Sequence, residues 1–162
     1  MRFLGLAVVS AALVLTACGD KKEAAPAETA AAAPAMAPAA TVAAAPITGK
    51  TWEVKMIGDA TTYKYEPAEL TIAPGDGIKF IMVSNGPHNV AFDPAQPALA
   101  NAAAKAQLMA NMSEQVTELS GKYLQQPNEE YVVSFAGMPA GTYDFFCTPH
   151  MAMNMKGKVT VK

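Results

Sequence analysis

The sequence predicts an all-β fold, an antiparallel Greek-key β-sandwich with a short helical excursion. Two observations predict it. Apolar residues alternate with polar ones over several short stretches, and turn-forming segments such as Pro74-Gly75-Asp76-Gly77 separate those stretches. A period of two residues is typical of half-buried strands, and about seven or eight such strands at this spacing are typical of a sandwich.

The individual elements follow from the same pattern. Alternation is clearest over residues 52–56, 131–135 and 143–147. Further strands are predicted over residues 69–73, 78–84, 88–92 and 157–161. Residues 97–118 are instead rich in Ala, Asn, Met and Gln, so we predict the helical excursion there, between two strands.

The N-terminus predicts an export signal with a lipid attachment site. Residues 1–17 form the signal peptide, whose 13-residue apolar stretch is shorter than the ~20 residues that a membrane-spanning helix needs. Cys18 ends a Leu-Thr-Ala-Cys sequence that resembles the lipobox of bacterial lipoproteins, in which the cysteine carries the lipid. The alternative is an ordinary cleaved signal that happens to contain this cysteine.

Residues 18–46 are then the lipid-attachment cysteine and a tether, and residues 47–162 form the folded domain. Residues 19–46 contain 14 Ala and 4 Pro, and because the prolines interrupt a helix every few residues, a semi-extended tether is expected. The protein is therefore expected to be exported and lipid-anchored to a bacterial membrane, facing the periplasm or the cell exterior.

Charge and motif content exclude several functions. The formal net charge is −2, too near zero for a basic nucleic-acid surface. The sequence lacks paired carboxylates, phosphate-binding loops and zinc-type ligand spacing, so we predict that the protein is not an enzyme. A nucleophilic Cys–His dyad is the one enzymatic alternative.

Two histidines and a cysteine supply the candidate chemistry. His88 and His150 each follow a proline, and Cys147 lies three residues before His150. If Cys18 carries lipid, Cys147 is a lone thiol in an oxidising compartment, where it is either buried and inert or held by a metal. A thiolate, two imidazoles and a thioether such as Met155 form the donor set that suits copper, with three strong ligands and a weak axial sulfur.

The predicted strands explain how these residues meet. Cys147 ends one strand and Gly157 opens the next, so residues 148–156 form a loop that presents Cys147, His150 and one methionine to a single point. His88 then has to come from a different strand whose end lies at the same pole of the sandwich.

Each residue also has a less specific interpretation. His88 alone fits a histidine satisfied at a strand end, and Cys147 fits a buried structural thiol. Met151, Met153 and Met155 fit a soft thioether site that carries Cu(I) as a chaperone or scavenger. A metal-free adhesion or scaffold sandwich is the third class of function.

Longer motifs resemble the plastocyanin family of type 1 (blue) copper proteins. They are Cys147-x2-His150-x4-Met155 followed by Lys-Gly-Lys-Val-Thr-Val, Pro-His-Asn-Val-Ala-Phe-Asp over residues 87–93, and Glu-Pro-Ala-Glu-Leu-Thr-Ile-Ala-Pro-Gly-Asp over residues 66–76. The resemblance covers most of residues 51–162. It implies the cupredoxin form of the Greek-key sandwich.

The resemblance also implies one type 1 copper site. Its equatorial ligands would be His88, Cys147 and His150, and its axial ligand would be Met155. Asn89 would help to fix the ligand loops, and its backbone amide would bond the thiolate. The implied function is a one-electron carrier that cycles between Cu(I) and Cu(II), with the electron passing by way of the His150 edge.

The implied partners are redox proteins: a donor such as a quinol-oxidising cytochrome complex, and an acceptor such as an oxidase, a reaction centre or a soluble cytochrome. The carrier is expected to be a monomer that contacts the membrane through its lipid anchor. Phe146 stands where the family commonly has a tyrosine, and residues 93–127 are longer than in plastocyanin and lack a dense acidic run. The plant partner set is therefore not implied, and the tethered form is closer to the auracyanin-like carriers of bacteria.

Overall fold

The computed structural model describes residues 42–162, which contain ten strands and one α-helix. The predicted signal peptide, Cys18 and all but the last residues of the tether lie outside the described residues. The strands are β1 (Thr51–Gly58), β2 (Tyr63–Glu66), β3 (Glu69–Ile72), β4 (Gly77–Ser84), β5 (Ala91–Phe92), β6 (Gln115–Thr117), β7 (Ser120–Gly121), β8 (Glu130–Ser134), β9 (Gly141–Phe146) and β10 (Lys156–Val161).

The strands form two sheets, which confirms the predicted sandwich. One sheet has the order β2-β1-β4-β8, and the other has the order β3-β10-β9-β5-β7-β6. The sheets are mixed rather than purely antiparallel, because β1 pairs with β4 and β3 pairs with β10 in parallel. After β1 and β2 the chain crosses to the second sheet to form β3, and it then returns to the first sheet as β4 beside β1. A hairpin joins only antiparallel strands, whereas a longer connection of this kind allows β1 and β4 to be parallel.

The predicted strand alternation is confirmed in the core between the sheets. Apart from Trp52, which is partly buried, the apolar residues at the alternating positions are buried: Val54, Met56, Tyr131, Val133, Phe135, Tyr143, Phe145 and Cys147. The Phe145 ring lies near the centre, with its centroid 4.8 Å from that of Tyr65 and 5.4 Å from that of Phe80. Cys147 and Met155 belong to the same buried cluster, so the core continues into the predicted ligand loop.

The helical excursion is confirmed but is shorter than predicted. A 3-10 turn spans Pro97–Leu99, and helix α1 spans Ala102–Asn111. The side-chain oxygen of Asn101 accepts the backbone N–H of Ala103 at 2.8 Å and so caps the helix. The prediction of helix over residues 112–118 is wrong, because this part of the chain turns back to form β6, which pairs with β7. Among residues 42–162 we find no helix with the length and apolar character needed to cross a membrane.

Residues 42–50 join the domain at the end of the sandwich where β4 begins. The N–H of Ala45 donates to Oδ1 of Asn111 at 2.8 Å, and the Asn111 amide donates to the carbonyls of Ser134 and Ala136 at 3.0 and 2.9 Å. Ser134 pairs with Gly77, the first residue of β4. The described part of the tether is therefore fixed at the end of β4 opposite to Ser84.

Asp76 ties the start of β1 to the turn before β4. Its Oδ1 accepts the N–H of Lys50 at 2.7 Å, and its Oδ2 accepts the indole N–H of Trp52 at 2.8 Å and the N–H of Ala73 at 3.0 Å. These bonds hold the pKa of the Asp76 carboxyl below its ordinary value of 3.8, and the Trp52 bond has the largest effect, followed by the two backbone bonds. Folding therefore favours the ionised carboxylate.

We expect Asp76→Asn to lower the free energy of unfolding, because asparagine keeps one acceptor oxygen and would place its NH2 group against N–H donors that the second carboxylate oxygen accepts. The folded pKa of Asp76 lies below the unfolded one, so the wild-type advantage is fully present above pH 3.8 and is lost as the pH falls through the folded pKa. Urea unfolding of wild type and Asp76→Asn at neutral pH and at about pH 3 measures the difference in their free energies of unfolding. Asp93→Asn, which alters one exposed bond to the Ala95 N–H, is the control. An equal loss of stability at both pH values would contradict the prediction.

Candidate metal centre

His88, Cys147 and His150 lie together at the end of the sandwich where β4 ends. Cys147 directly follows β9, and His150 precedes the 3-10 turn Met151–Met153. The sulfur of Cys147 lies 3.7 Å from Nδ1 of His88 and 3.4 Å from Nδ1 of His150. All three donor atoms lie within 4.8 Å of one another. The structure thus brings together three of the four residues predicted as ligands, from two distant parts of the chain.

His88 reaches this cluster from a short bridge rather than from a regular strand. The strand predicted over residues 88–92 is shorter in the structure, where β5 spans only Ala91–Phe92. His88 instead exchanges backbone hydrogen bonds with Leu124, at 2.9 Å from its N–H and 2.7 Å to its carbonyl. These two bonds fix the backbone that carries the imidazole.

A backbone carbonyl orients the His88 imidazole. Its Nε2 lies 2.9 Å from the carbonyl oxygen of Ser84. A carbonyl only accepts, so Nε2 carries the proton and Nδ1 presents its lone pair towards Cys147. Imidazoles that bind metals are commonly held in this way by a carbonyl on the other ring nitrogen.

Burial sets the protonation of the cluster. His88 and Cys147 are 0% exposed, and His150 is 7% exposed. Burial lowers the pKa of both imidazoles, and for His150 the neighbouring His88 lowers it further. Burial raises the pKa of the Cys147 thiol, while the backbone N–H groups of Asn89 and His150 oppose that rise. The imidazoles are therefore held neutral, the form that binds a metal, and a bound cation would stabilise the thiolate.

Asn89 joins the His88 segment to the ligand loop. Its Oδ1 accepts the N–H of Thr148 at 2.8 Å, and its Nδ2 donates to Oγ of Ser120 at 3.0 Å and to the Thr148 hydroxyl at 3.2 Å. The side chain is buried. These contacts support the role expected for Asn89, which is to fix the loops that carry Cys147 and the two histidines.

The loop 147–155 is closed by its own backbone. The N–H of Cys147 donates to the carbonyl of Met155 at 3.0 Å, and the N–H groups of Met155 and His150 donate to the carbonyls of His150 and Cys147, each at 3.2 Å. The Met155 side chain is completely buried, whereas Met151 and Met153 are 44% and 50% exposed. Of these three methionines, only Met155 therefore has the enclosed position that the predicted axial ligand requires.

Two tyrosines of β2 contact the centre, and the sequence does not predict this role for either of them. The Tyr63 ring stacks on the His150 imidazole, and the Tyr65 hydroxyl donates to the carbonyl of Asn89 at 2.6 Å. The spacing Tyr63-Lys64-Tyr65 could have placed both rings on one face of a strand. Tertiary packing decides which loop that face meets. The four residues of β2 alone do not indicate it.

The donor atoms fit copper. Zinc, a metal of similar size, binds thiolate sulfur at about 2.3 Å and imidazole nitrogen at about 2.0–2.1 Å. The Cys147–His88 and Cys147–His150 separations of 3.7 and 3.4 Å are shorter than two such bonds laid end to end, so each imidazole can share one ion with the thiolate. Two imidazoles and one thiolate, with a methionine nearby, form the set typical of blue copper sites. Fold and site together define a small single-site copper protein of the cupredoxin class.

Sequence comparison gives the family. The chain belongs to the plastocyanin/azurin family of copper binding proteins, whose sequence profile matches residues 52–162. The plastocyanin of Nostoc punctiforme is 35% identical over 116 residues, which cover 71% of this chain and 76% of that protein. The plastocyanin of Prochlorothrix hollandica is 37% identical over 122 residues, which cover 72% of this chain and 77% of that protein.

A solved structure agrees with this assignment. The oxidised plastocyanin of the fern Dryopteris crassirhizoma superposes with a TM-score of 0.52 at 28% identity, covering 68% of this chain and 99% of that one. The predicted family resemblance, the cupredoxin sandwich and the copper cofactor are thereby confirmed. Plastocyanin-like proteins are electron carriers, which also confirms the prediction that the chain is not an enzyme.

Proposed function

We propose that the protein is a membrane-tethered blue copper carrier that passes single electrons between redox complexes. The observation that carries the proposal is that the donor atoms of His88, Cys147 and His150 lie close together in a buried cluster. We assign these three residues as the strong ligands and Met155 as the weak axial ligand. Copper bound there would supply the redox chemistry, since it takes up and gives back one electron.

The protein's own contribution is to hold the donor groups still. Ser84 orients His88, the backbone closes the loop 147–155, and Asn89 joins the two segments. Because these bonds are made within the protein, little has to rearrange when the charge of the site changes. A small rearrangement is the condition for fast electron transfer.

We assign the entry and exit of electrons to the His150 side of the site. His150 is the only one of the three clustered residues with measurable exposure, and Pro87, Met151 and Met153 are exposed at the same end of the domain. Flexible, polarisable methionines suit a surface on which different partners dock. The partners we propose are a quinol-oxidising cytochrome complex as donor and an oxidase, a reaction centre or a soluble cytochrome as acceptor.

The proposed anchor is a lipid on Cys18, with the exported protein facing the periplasm or the cell exterior. A tether over residues 18–46 would keep the monomeric carrier close to membrane-bound partners. Confinement of this kind raises the effective concentration of the carrier, as in a linked binding module.

The visible spectrum of the copper-loaded, oxidised protein tests the proposed function. We expect one copper per chain and an intense blue band from charge transfer between the Cys147 sulfur and Cu(II). The exposed thioethers of Met151 and Met153 favour a second candidate, a Cu(I) chaperone, which would bind copper without a strong visible band. A metal-free scaffold would bind no stoichiometric copper.

Met155→Leu is expected to keep the blue band and raise the reduction potential. Loss of the axial sulfur removes electron donation that stabilises the more highly charged Cu(II) more than it stabilises Cu(I), so the balance moves towards Cu(I). We expect a rise on the order of one tenfold step in the one-electron equilibrium, about 59 mV. Voltammetry measures it, with Met153→Leu as the matched control. A potential that follows Met153→Leu instead of Met155→Leu would show that the axial assignment is misplaced.

A further inference from the structure

Tyr63 packs face to face against the His150 imidazole. The ring centroids are 3.9 Å apart and the ring planes differ by 20°. The same tyrosine meets His88 edge-on, with ring centroids 6.1 Å apart and an interplanar angle of 67°. One side chain of β2, a strand that contributes no ligand, therefore contacts both imidazoles of the centre.

The position of the Tyr63 ring is fixed from two sides. Its hydroxyl accepts a hydrogen bond from Nδ2 of Asn85 at 2.6 Å, and the same amide donates to the carbonyl of Asp59 at 3.0 Å. Gly58 is the β1 residue that pairs with Tyr63, and a Cβ at Gly58 would lie 2.7 Å from the ring. Because Gly58 has no side chain, the Tyr63 ring can lie against the backbone of β1 and extend over His150.

His150 depends on this contact more than His88 does. The Nε2 of His88 is held by the Ser84 carbonyl. Within residues 42–162 no protein group makes a hydrogen bond to Nε2 of His150, whose Nδ1 faces Cys147. The stacked Tyr63 ring therefore restrains the plane of this imidazole, together with the Nδ1–Cys147 contact and the His88 ring, which meets it edge-on at 4.9 Å.

We propose that Tyr63 is a positioning residue that holds the His150 imidazole in its ligating orientation. The proposal rests on the copper function proposed above. Stacking resists rotation of the imidazole away from Cys147, so it slows the loss of this ligand and the escape of the metal. The contact is made by the face of the ring, and the hydroxyl serves to place that ring.

The first test compares Tyr63→Leu with Tyr63→Phe in the full-length copper protein. The readout is the rate at which the reduced protein releases Cu(I) to a strong chelator. We expect Tyr63→Leu to release copper about tenfold faster, the upper range of what an aromatic stacking contact contributes, and Tyr63→Phe to stay within about threefold of wild type. Tyr123→Leu makes the same change at a tyrosine that is 39% exposed and should leave the rate unchanged.

The second test does not depend on copper. The ring protons of an imidazole stacked on an aromatic face are shifted upfield in the proton NMR spectrum. We expect this shift for His150 in the metal-free wild type and in Tyr63→Phe, and its loss in Tyr63→Leu. Urea unfolding of the same samples shows whether all three are equally folded.

Two results would overturn the proposal. One is a Tyr63→Leu variant with the wild-type release rate and the wild-type His150 shift. The other is a Tyr63→Phe variant that behaves like Tyr63→Leu, because the hydroxyl and not the ring would then matter. Failure of the copper function is a separate result, seen as an absent blue band in the wild-type protein.

Discussion

Replacing Cys147 by serine is expected to abolish the blue band of the oxidised copper protein. Serine has nearly the same size, but its hydroxyl is not ionised at neutral pH and its oxygen is not a soft donor. The band requires electron transfer from a thiolate sulfur to the metal, and Cys147 is completely enclosed, so no other thiol can take its place. Visible absorption after loading with one equivalent of Cu(II) should show complete loss of colour.

The chain provides a matched control for this experiment. Cys18→Ser makes the same chemical change at the other cysteine of the sequence and should leave the band at its wild-type intensity. A blue Cys147→Ser protein would show that the thiolate of Cys147 is not the ligand responsible for the colour.

His150→Gly is the second change with a large expected effect. Removing this imidazole should abolish the blue band, and added imidazole should restore it. His150 lies at the boundary with solvent, beside the exposed Met151 and Met153, so a free imidazole can enter the space that the side chain leaves. That space is bounded by the Tyr63 ring, against which the added imidazole can stack. A titration with imidazole, followed by visible absorption, measures the recovery.

His88→Gly is the control for access. His88 is fully buried, and its segment is held by Leu124, so the space left by the ring is closed to solvent. We expect the same loss of colour with much weaker recovery. Equal recovery at the two positions would contradict the assignment of His150 as the ligand nearest to the surface.

Local sequence patterns are sufficient to predict most of the strands, and they also show that the ligand set resembles that of a copper centre. Side-chain alternation over residues 143–147 follows from the geometry of a single strand, and it places Cys147 in the core without knowledge of the strand's neighbours. Cys147, His150 and Met155 lie within nine residues of sequence, so one turn between two strands brings their backbones together.

The features that the sequence does not predict depend on distant contacts. The parallel pairing of β1 with β4 arises because the chain passes through the other sheet between them. Helix α1 ends at Asn111, whose amide bonds the carbonyls of Ser134 and Ala136, more than twenty residues further along the chain. The stacking of Tyr63 on His150 likewise joins residues 87 positions apart.

The hydrogen bond from Ala45 to Asn111 attaches the N-terminal segment far from the metal centre. β4 has eight residues and extends about 23 Å from Gly77 to Ser84, with the bound N-terminal segment at its first end and the imidazoles at its last. A pull on the N-terminal chain would therefore reach the domain at the first end of β4, where Asn111 binds Ala45. In the proposed tethered carrier, this pull would act at the end of the strand opposite to the one where a redox partner docks.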